Sequence, residues 1–364
     1  MNDHTQPSET VGSGSYAPED VSFMLRQVSI DTTDVQEKER LIQSGKRHYS
    51  EMISEEHAPT ETHMDLYRRA LQQNGDRMAH DVQALALALN QLYTGPSIAL
   101  VSFVRAGLPL GVLLRRCLTD MGREAKHYGI SIIRDRGIDM VALEAIINVH
   151  GAENIVFVDG WTGKGAISGE IRRSLAGDNR FPADPRLVVL ADPCGKAWLS
   201  ASAEDWIIPS GILGATVSGL VSRSIWPSDG GLHGCIVYEH LREHDVTRDF
   251  VDDIAARISG LGAVDAAEPW SSGQAQRLQT DALGVIAGLA DRFAIANLNR
   301  VKPGIAEATR AVLRRVPDHV LVRSRADQDV QLLMHLTERA RIVVEEAGDH
   351  LGPYRAVTII RSVN

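Results

Sequence analysis

Cysteine is scarce. Cys117, Cys194 and Cys235 are the only three in 364 residues, and their wide spacing excludes a disulfide framework and a cysteine metal site. They suit a reducing compartment. Positive charge is also short: 38 Lys and Arg against 47 Asp and Glu give a net charge of −9. That balance argues against a broad electrostatic grip on nucleic acid and leaves room only for a local basic patch. No apolar run approaches the ~20 residues of a membrane span, so no membrane partner is expected. Gly-x-Ser-x-Gly is absent, which removes the serine-hydrolase elbow. Residues 1–20 are polar and acidic, without the apolar core of a secretory signal. Their Ser, Gly, Thr and Pro content reads as a disordered tail. A cytoplasmic protein is the expectation.

What is present is ordinary globular material, 44% apolar and 23% charged. Short apolar, β-branched runs at Ile98–Val104, Lys126–Arg134, Ile155–Val158, Leu187–Leu190 and Trp206–Ile208 read as strands. Helical spacing at Met64–Gln73, Asp76–Leu92, Leu110–Met121 and Ile138–Val149 places helices before or between them. Strands alternating with helices predict an α/β fold with a mostly parallel sheet buried on both faces. The Gly/Ala/Ser-rich stretch near Gly260–Gly273 divides the chain into a domain at 21–260, a linker at 261–284 and a small second α/β unit at 285–364.

The most informative stretch is Asn154–Glu170. Its strand ends at Asp159, and Gly160-Trp-Thr-Gly-Lys-Gly165 leads into a helix that starts at Ala166. Backbone N–H groups at such a helix start carry the positive end of the dipole and suit a phosphate. An ATP-binding P-loop is excluded, because Val158 and Gly165 stand where its first glycine and its Ser/Thr belong. A simple unliganded turn is the alternative. Upstream, Arg105-Ala-Gly-Leu-Pro109 follows a strand; one guanidinium and two small residues at this point suit a diphosphate. Arg134 and Arg136 lie on a charged loop between the two motifs.

An acid at a strand end followed by Thr162-Gly-Lys-Gly165, with Arg105-Ala-Gly107 some fifty residues earlier, resembles the type I phosphoribosyltransferases. The resemblance implies that Ala106, Gly107, Gly160, Thr162, Gly163, Lys164, Gly165 and Ala166 bind substrate. It implies catalytic roles for Asp159, Arg105, Arg134 and Arg136, with Asp159 near Mg²⁺. The implied reaction transfers phosphoribose from phosphoribosyl diphosphate to an unidentified acceptor and releases pyrophosphate. Gly160 stands in place of that family's second acid. A homodimer is expected, because such enzymes often share sites between subunits.

The C-terminal unit resembles the Pelota and kink-turn-binding family. In Gly304-Ile-Ala-Glu-Ala-Thr-Arg310, Glu307, Thr309 and Arg310 match its RNA-facing loop, and Ala306 replaces an Asn. The combination resembles a bacterial family of tellurite-resistance and stress gene clusters, sometimes labelled StiP, over about residues 20–260 and 285–364. That family also carries a cysteine-protease label, for which Cys194, in Asp192-Pro-Cys-Gly-Lys196, is the candidate nucleophile. The main expectation is therefore a phosphoribosyl-transferring enzyme. The alternatives are a non-catalytic nucleotide- or RNA-binding regulator, or a cysteine-dependent hydrolase. His240-Leu-Arg-Glu-His244 fits an inverted zinc-protease pattern, but no third ligand stands out and an ordinary solvated helix is expected.

Overall fold

The computed structural model describes residues 10–362. Six parallel strands form the central sheet, in the order Ser22–Phe23, Glu124–Ile130, Ser97–Phe103, Ile155–Val158, Leu187–Ala191, Leu199–Ser202. The inner strands Ile155–Val158 and Leu187–Ala191 are wholly buried, as a sheet covered on both faces requires.

Helix α1 (Val35–Gln43) starts at the Asp34 cap, and α2 (Glu61–Leu92) at Thr60. The sequence suggests two helices over the latter span, separated at Asn74-Gly75. One continuous helix forms instead. Gly75 is a contact rather than a break: a Cβ there would meet the Arg257 guanidinium at 2.9 Å. Helices α3 (Leu108–Asp120), α4 (Met140–His150) and α5 (Ala166–Ser174) follow successive strands, and α6 (Thr247–Ser259) packs on α2 and α3. Trp206–Ile208 is not a strand. The Ile207 carbonyl accepts from the Asn74 side chain and the segment runs into a turn at Pro209, while the edge strand is Leu199–Ser202.

Residues 1–9 of the expected tail lie outside the described residues. Residues 10–20 are not disordered: Tyr16 is fully buried, and the buried Asp20 pairs with Arg116 at 2.6 Å. The expected linker at 261–284 contains the first half of α7 (Ser272–Arg292), closed by a Ser271–Gln274 capping box. Beyond α7 comes a four-stranded sheet, Val301–Pro303, Ala356–Ile360, Pro317–Val322, Val344–Glu346, with helices α8 (Ile305–Arg314) and α9 (Gln331–Arg339).

The C-terminal unit sits on the loops at the carboxyl edge of the central sheet. Asp205 caps α8 by accepting the Ile305 N–H at 2.9 Å and also accepts the Arg355 N–H at 2.7 Å. Tyr354 Oη donates to the Gly163 carbonyl at 2.9 Å. One hydrophobic cluster runs from Leu100, Val158 and Trp206 into Ile305, Val320 and Leu333, so the two units share a core.

Candidate functional site at the interdomain cleft

The carboxyl edge gathers three loops, after Phe103, Val158 and Ala191, under the C-terminal unit. The first two, with Ile132, Arg134 and the C-terminal Val301–Pro303, Glu307 and Arg310, enclose a cavity of about 170 Å³. Arg105, Ala106, Arg134, Asp159, Thr162, Gly163, Lys164, Gly165 and Ala166 all line it, so most of the residues singled out in sequence converge. Gly160 and Gly107 serve the backbone behind it. A Cβ at Gly107 would meet the Val158 carbonyl at 2.2 Å, and one at Gly160 the Ala106 carbonyl at 2.9 Å. Arg136 is elsewhere. It pairs with Glu51 and stacks over Trp226 at 4.7 Å.

The side chains do not point as the sequence suggests. Arg105 turns from the glycine loop to donate to Glu56 at 2.8 Å and to the Val221 carbonyl at 3.1 Å. Burial raises the Glu56 carboxyl, but Arg105 and Arg314 overcome it and hold the group at about 2. Lys164 donates to the Val301 carbonyl at 3.1 Å, so it ties the loop to the C-terminal unit. Burial, reinforced by Arg134, pushes its ammonium down to about 8. Gly165 takes φ +79°, which opens α5 without a side-chain cap, and Lys196 covers it.

Asp159 is buried and accepts the Gly160 N–H at 2.8 Å, and burial raises its carboxyl to about 7. With Gly160 beside it, Asp159 has no neighbouring acid in the loop. Among the described residues no group of three or more His, Cys, Asp or Glu converges. As a protein-only donor set this does not fit Mg²⁺, which wants several charged or carbonyl oxygens.

Glu307, Thr309 and Arg310, expected to face RNA, face inward instead. Glu307 and Arg310 line the same cavity, and Thr309 is fully buried. Arg310 lies over the Trp161 ring at 4.5 Å. The reason is the docking of α8: the small Gly163 brings the first unit against Pro303 and Glu307. The sequence singled out neither Trp161 nor Glu56 as a site residue, and it marked Lys302 and Arg314 only as part of a basic front on the C-terminal unit. Lys302 carried a signal, a lysine set in Val301-Lys-Pro303 at a strand. Glu56 carried none, since its partner Arg105 is 49 residues away.

Cys194 is buried on the loop after Leu187–Ala191. Its thiol donates to Thr162 Oγ1 at 3.2 Å, and Thr162 donates to Asp192 Oδ1 at 2.5 Å. Asp192 also accepts the Lys196 and Ala197 N–H groups and the Trp270 indole N–H, at 2.8–2.9 Å. Among the described residues no histidine is a hydrogen-bond partner of Cys194. His233 bonds Ser131 Oγ at 2.6 Å, and His240 the Glu56 carbonyl at 2.9 Å. Burial and the nearby Asp192 raise the Cys194 thiol well above its usual range. The Glu239–His244 segment is a 3₁₀ turn rather than an α-helix, so the inverted zinc pattern loses the face on which its histidines would meet.

Residues 14–255 match the family described as tellurite-like stress resistance cysteine protease StiP. The chain belongs to the StiP family. The cysteine protease StiP of Acinetobacter baylyi is 51% identical, over 96% of this chain and 94% of its own. Residues 281–362 match the PELOTA RNA binding domain. The expectation of a phosphoribosyltransferase is overturned by these two StiP matches, which name a cysteine protease, and with it fall the transferase class, phosphoribosyl diphosphate as substrate and its magnesium. A hypoxanthine phosphoribosyltransferase of Trypanosoma cruzi bound to IMP is 15% identical over 41% of this chain and 74% of its own, with a TM-score of 0.24. A glycine decarboxylase P-protein is 12% identical over 76% of each chain, with a TM-score of 0.21. Neither likeness is close enough to carry an argument. What holds for the StiP chain is a mixed α/β fold with a parallel central sheet. None of its described helices is long and apolar enough to cross a membrane.

Proposed function

We propose that this StiP chain is a cysteine-dependent hydrolase with Cys194 as its nucleophile, held latent in the closed arrangement described above. One observation carries the choice of residue. Cys194 alone of the three cysteines heads a side-chain relay, Cys194 to Thr162 to Asp192, and Thr162 lines the cavity. Cys117 and Cys235 are buried, with thiols that burial pushes up to about 12. In the reaction, the Cys194 proton passes to Thr162 Oγ1 as Thr162 passes its own to Asp192. The thiolate attacks a carbonyl carbon, forms a thioester and expels an amine, which takes up a proton. Water then cleaves the thioester and restores the thiol.

Latency follows from burial. A thiol is a nucleophile only as thiolate, and α7 lies over this one: Gln279 donates to the Gly195 carbonyl at 2.7 Å, and Lys196 Nζ donates to Gln279 at 2.7 Å. A peptide vinyl sulfone tests the reading. Mass spectrometry should find the adduct on Cys194 once α7 is loosened, and an adduct confined to Cys117 or Cys235 would remove Cys194 from the role.

The PELOTA match supports a second reading for the C-terminal unit, contact with RNA away from Arg310 through the exposed Arg325, Arg339 and Arg341. Binding of a bulged RNA hairpin that weakens with salt and survives Arg310→Ala supports it. Loss on Arg310→Ala places the contact in the cleft and ends this version.

A further inference from the structure

A second cavity, of about 320 Å³, opens on the other side of Arg105 between the 54–60 segment, the 211–214 loop and α8. Its cations outnumber its acids. Lys38, Arg105, Arg223, Arg310, Arg314 and the exposed Arg339 line it, against half-buried Glu56 and exposed Glu55. Glu56 is already committed to Arg105 at 2.8 Å and stands 3.9 Å from Arg314. Among the described residues Lys38 donates only to the Ser54 hydroxyl, at 2.8 Å. Arg223 donates to the Tyr49 and Met52 carbonyls, and its Nη1 is buried without a partner. The Arg310 Nε is likewise buried and unpartnered.

Buried Lys38 and half-buried Arg223, Arg310 and Arg314 outnumber the acids beside them, and such a group repels itself and is poorly solvated unless an anion joins it. Burial and mutual repulsion hold Lys38 at about 8, Arg310 at about 9 and Arg223 at about 10. Ala58, Pro59, Ile212, Leu213 and Leu336 give it an apolar patch, and His57, Thr60, His63, Thr216 and Tyr238 also line the wall. The volume falls at the lower end of small-molecule sites, above the needs of a single inorganic anion. Guanidinium forks match phosphate oxygens in pairs, and several uncompensated cations call for more than one negative charge.

We infer that this cavity binds an organic polyphosphate of nucleotide size, with its phosphates on Lys38, Arg223, Arg310 and Arg314 and its organic part against the apolar patch. The site is independent of Cys194 and of the hydrolase reading. It would join the 54–60 segment of the first unit to α8 of the second through one ligand.

Titration calorimetry of the full chain with adenosine triphosphate, and with inorganic pyrophosphate as competitor, tests it. Binding should be displaced by pyrophosphate, weaken about tenfold or more in Lys38→Ala and in Arg314→Ala, and stay within about threefold in Lys164→Ala and Cys194→Ala. Lys164 lines only the smaller cavity. If Arg314→Ala fails to fold, Arg314→Lys and Lys38→Met take its place. No binding by the folded chain, binding indifferent to Lys38 and Arg314, or loss confined to Lys164→Ala would each overturn the proposal.

Discussion

The Cys194 thiol lies 3.2 Å from Thr162 Oγ1, and that hydroxyl donates in turn to Asp192 at 2.5 Å. A side chain that relays a proton can be replaced by another hydroxyl but not by a methyl. Thr162→Val should cost about 1–3 kcal/mol in folding, since it leaves buried Asp192 one donor short. Once α7 is loosened, it should also lower hydrolysis at least about tenfold, equivalent to ~1.4 kcal/mol of barrier. Thr162→Ser should restore most of both. Equal rates in the valine and serine variants would reduce Thr162 to a packing role.

Helix α7 is the cover. Gln279→Ala removes both the Gly195 and the Lys196 contacts. Alkylation of Cys194 by iodoacetamide, followed peptide by peptide, should then rise several-fold while Cys117 and Cys235 keep their rates. A rise shared by all three thiols would point to general unfolding instead.

The smaller cavity carries a pH signature. Asp159 has an ordinary value of 3.8 and a folded one of about 7. Between these values the folded chain binds the extra proton, so this group's contribution to stability falls as pH rises from about 4 to 7. Lys302 behaves in the opposite sense: burial, with Arg134 and Lys164 nearby, lowers it from 10.5 to about 7. There the unfolded chain binds the extra proton, so stability climbs from about pH 7 to 10. Each limb is worth on the order of 4 kcal/mol. Unfolding free energies measured across pH should dip near 7; Asp159→Asn should flatten the acid limb and Lys302→Met the alkaline one. An unchanged profile in both variants would show that neither group titrates as described.

The Glu56–Arg105 pair joins the 54–60 segment to the loop after Phe103. Its carboxyl, held at about 2 against an ordinary 4.5, contributes stability that is present above pH 4.5 and lost as the pH falls toward 2. Glu56→Gln strands a buried guanidinium and should destabilise the chain by about 3 kcal/mol at pH 7. The difference from wild type should shrink at acid pH. A difference constant from pH 7 to pH 2 would assign the loss to packing.

Much of the fold was legible because burial writes itself into periodicity. Ile155–Val158 and Leu187–Leu190 are apolar throughout since both sheet faces are covered, and the glycine loop after Asp159 announced a turn at a ligand edge. The reading went astray where a local signal met a distant partner. Gly75 looked like a helix break because Arg257 could not be seen beside it. Arg105 looked like an anion ligand because Glu56 was not in view. Glu307 and Arg310 matched an RNA-facing pattern whose face this chain turns inward, a consequence of domain docking that no short motif records. The nearness of Cys194 to Thr162 is of the same kind, two loops meeting 32 residues apart.

Hydrolysis of an unfolded protein substrate by the Gln279→Ala chain, whose cover over Cys194 is loosened, with each cysteine changed to serine in turn, tests the central claim most directly. The account predicts that Cys194→Ser reduces peptide-bond cleavage in that background at least about a hundredfold, the scale of ~2.7 kcal/mol, while Cys117→Ser and Cys235→Ser cleave at the rate of the Gln279→Ala parent. Cleavage that persists in Cys194→Ser would contradict it.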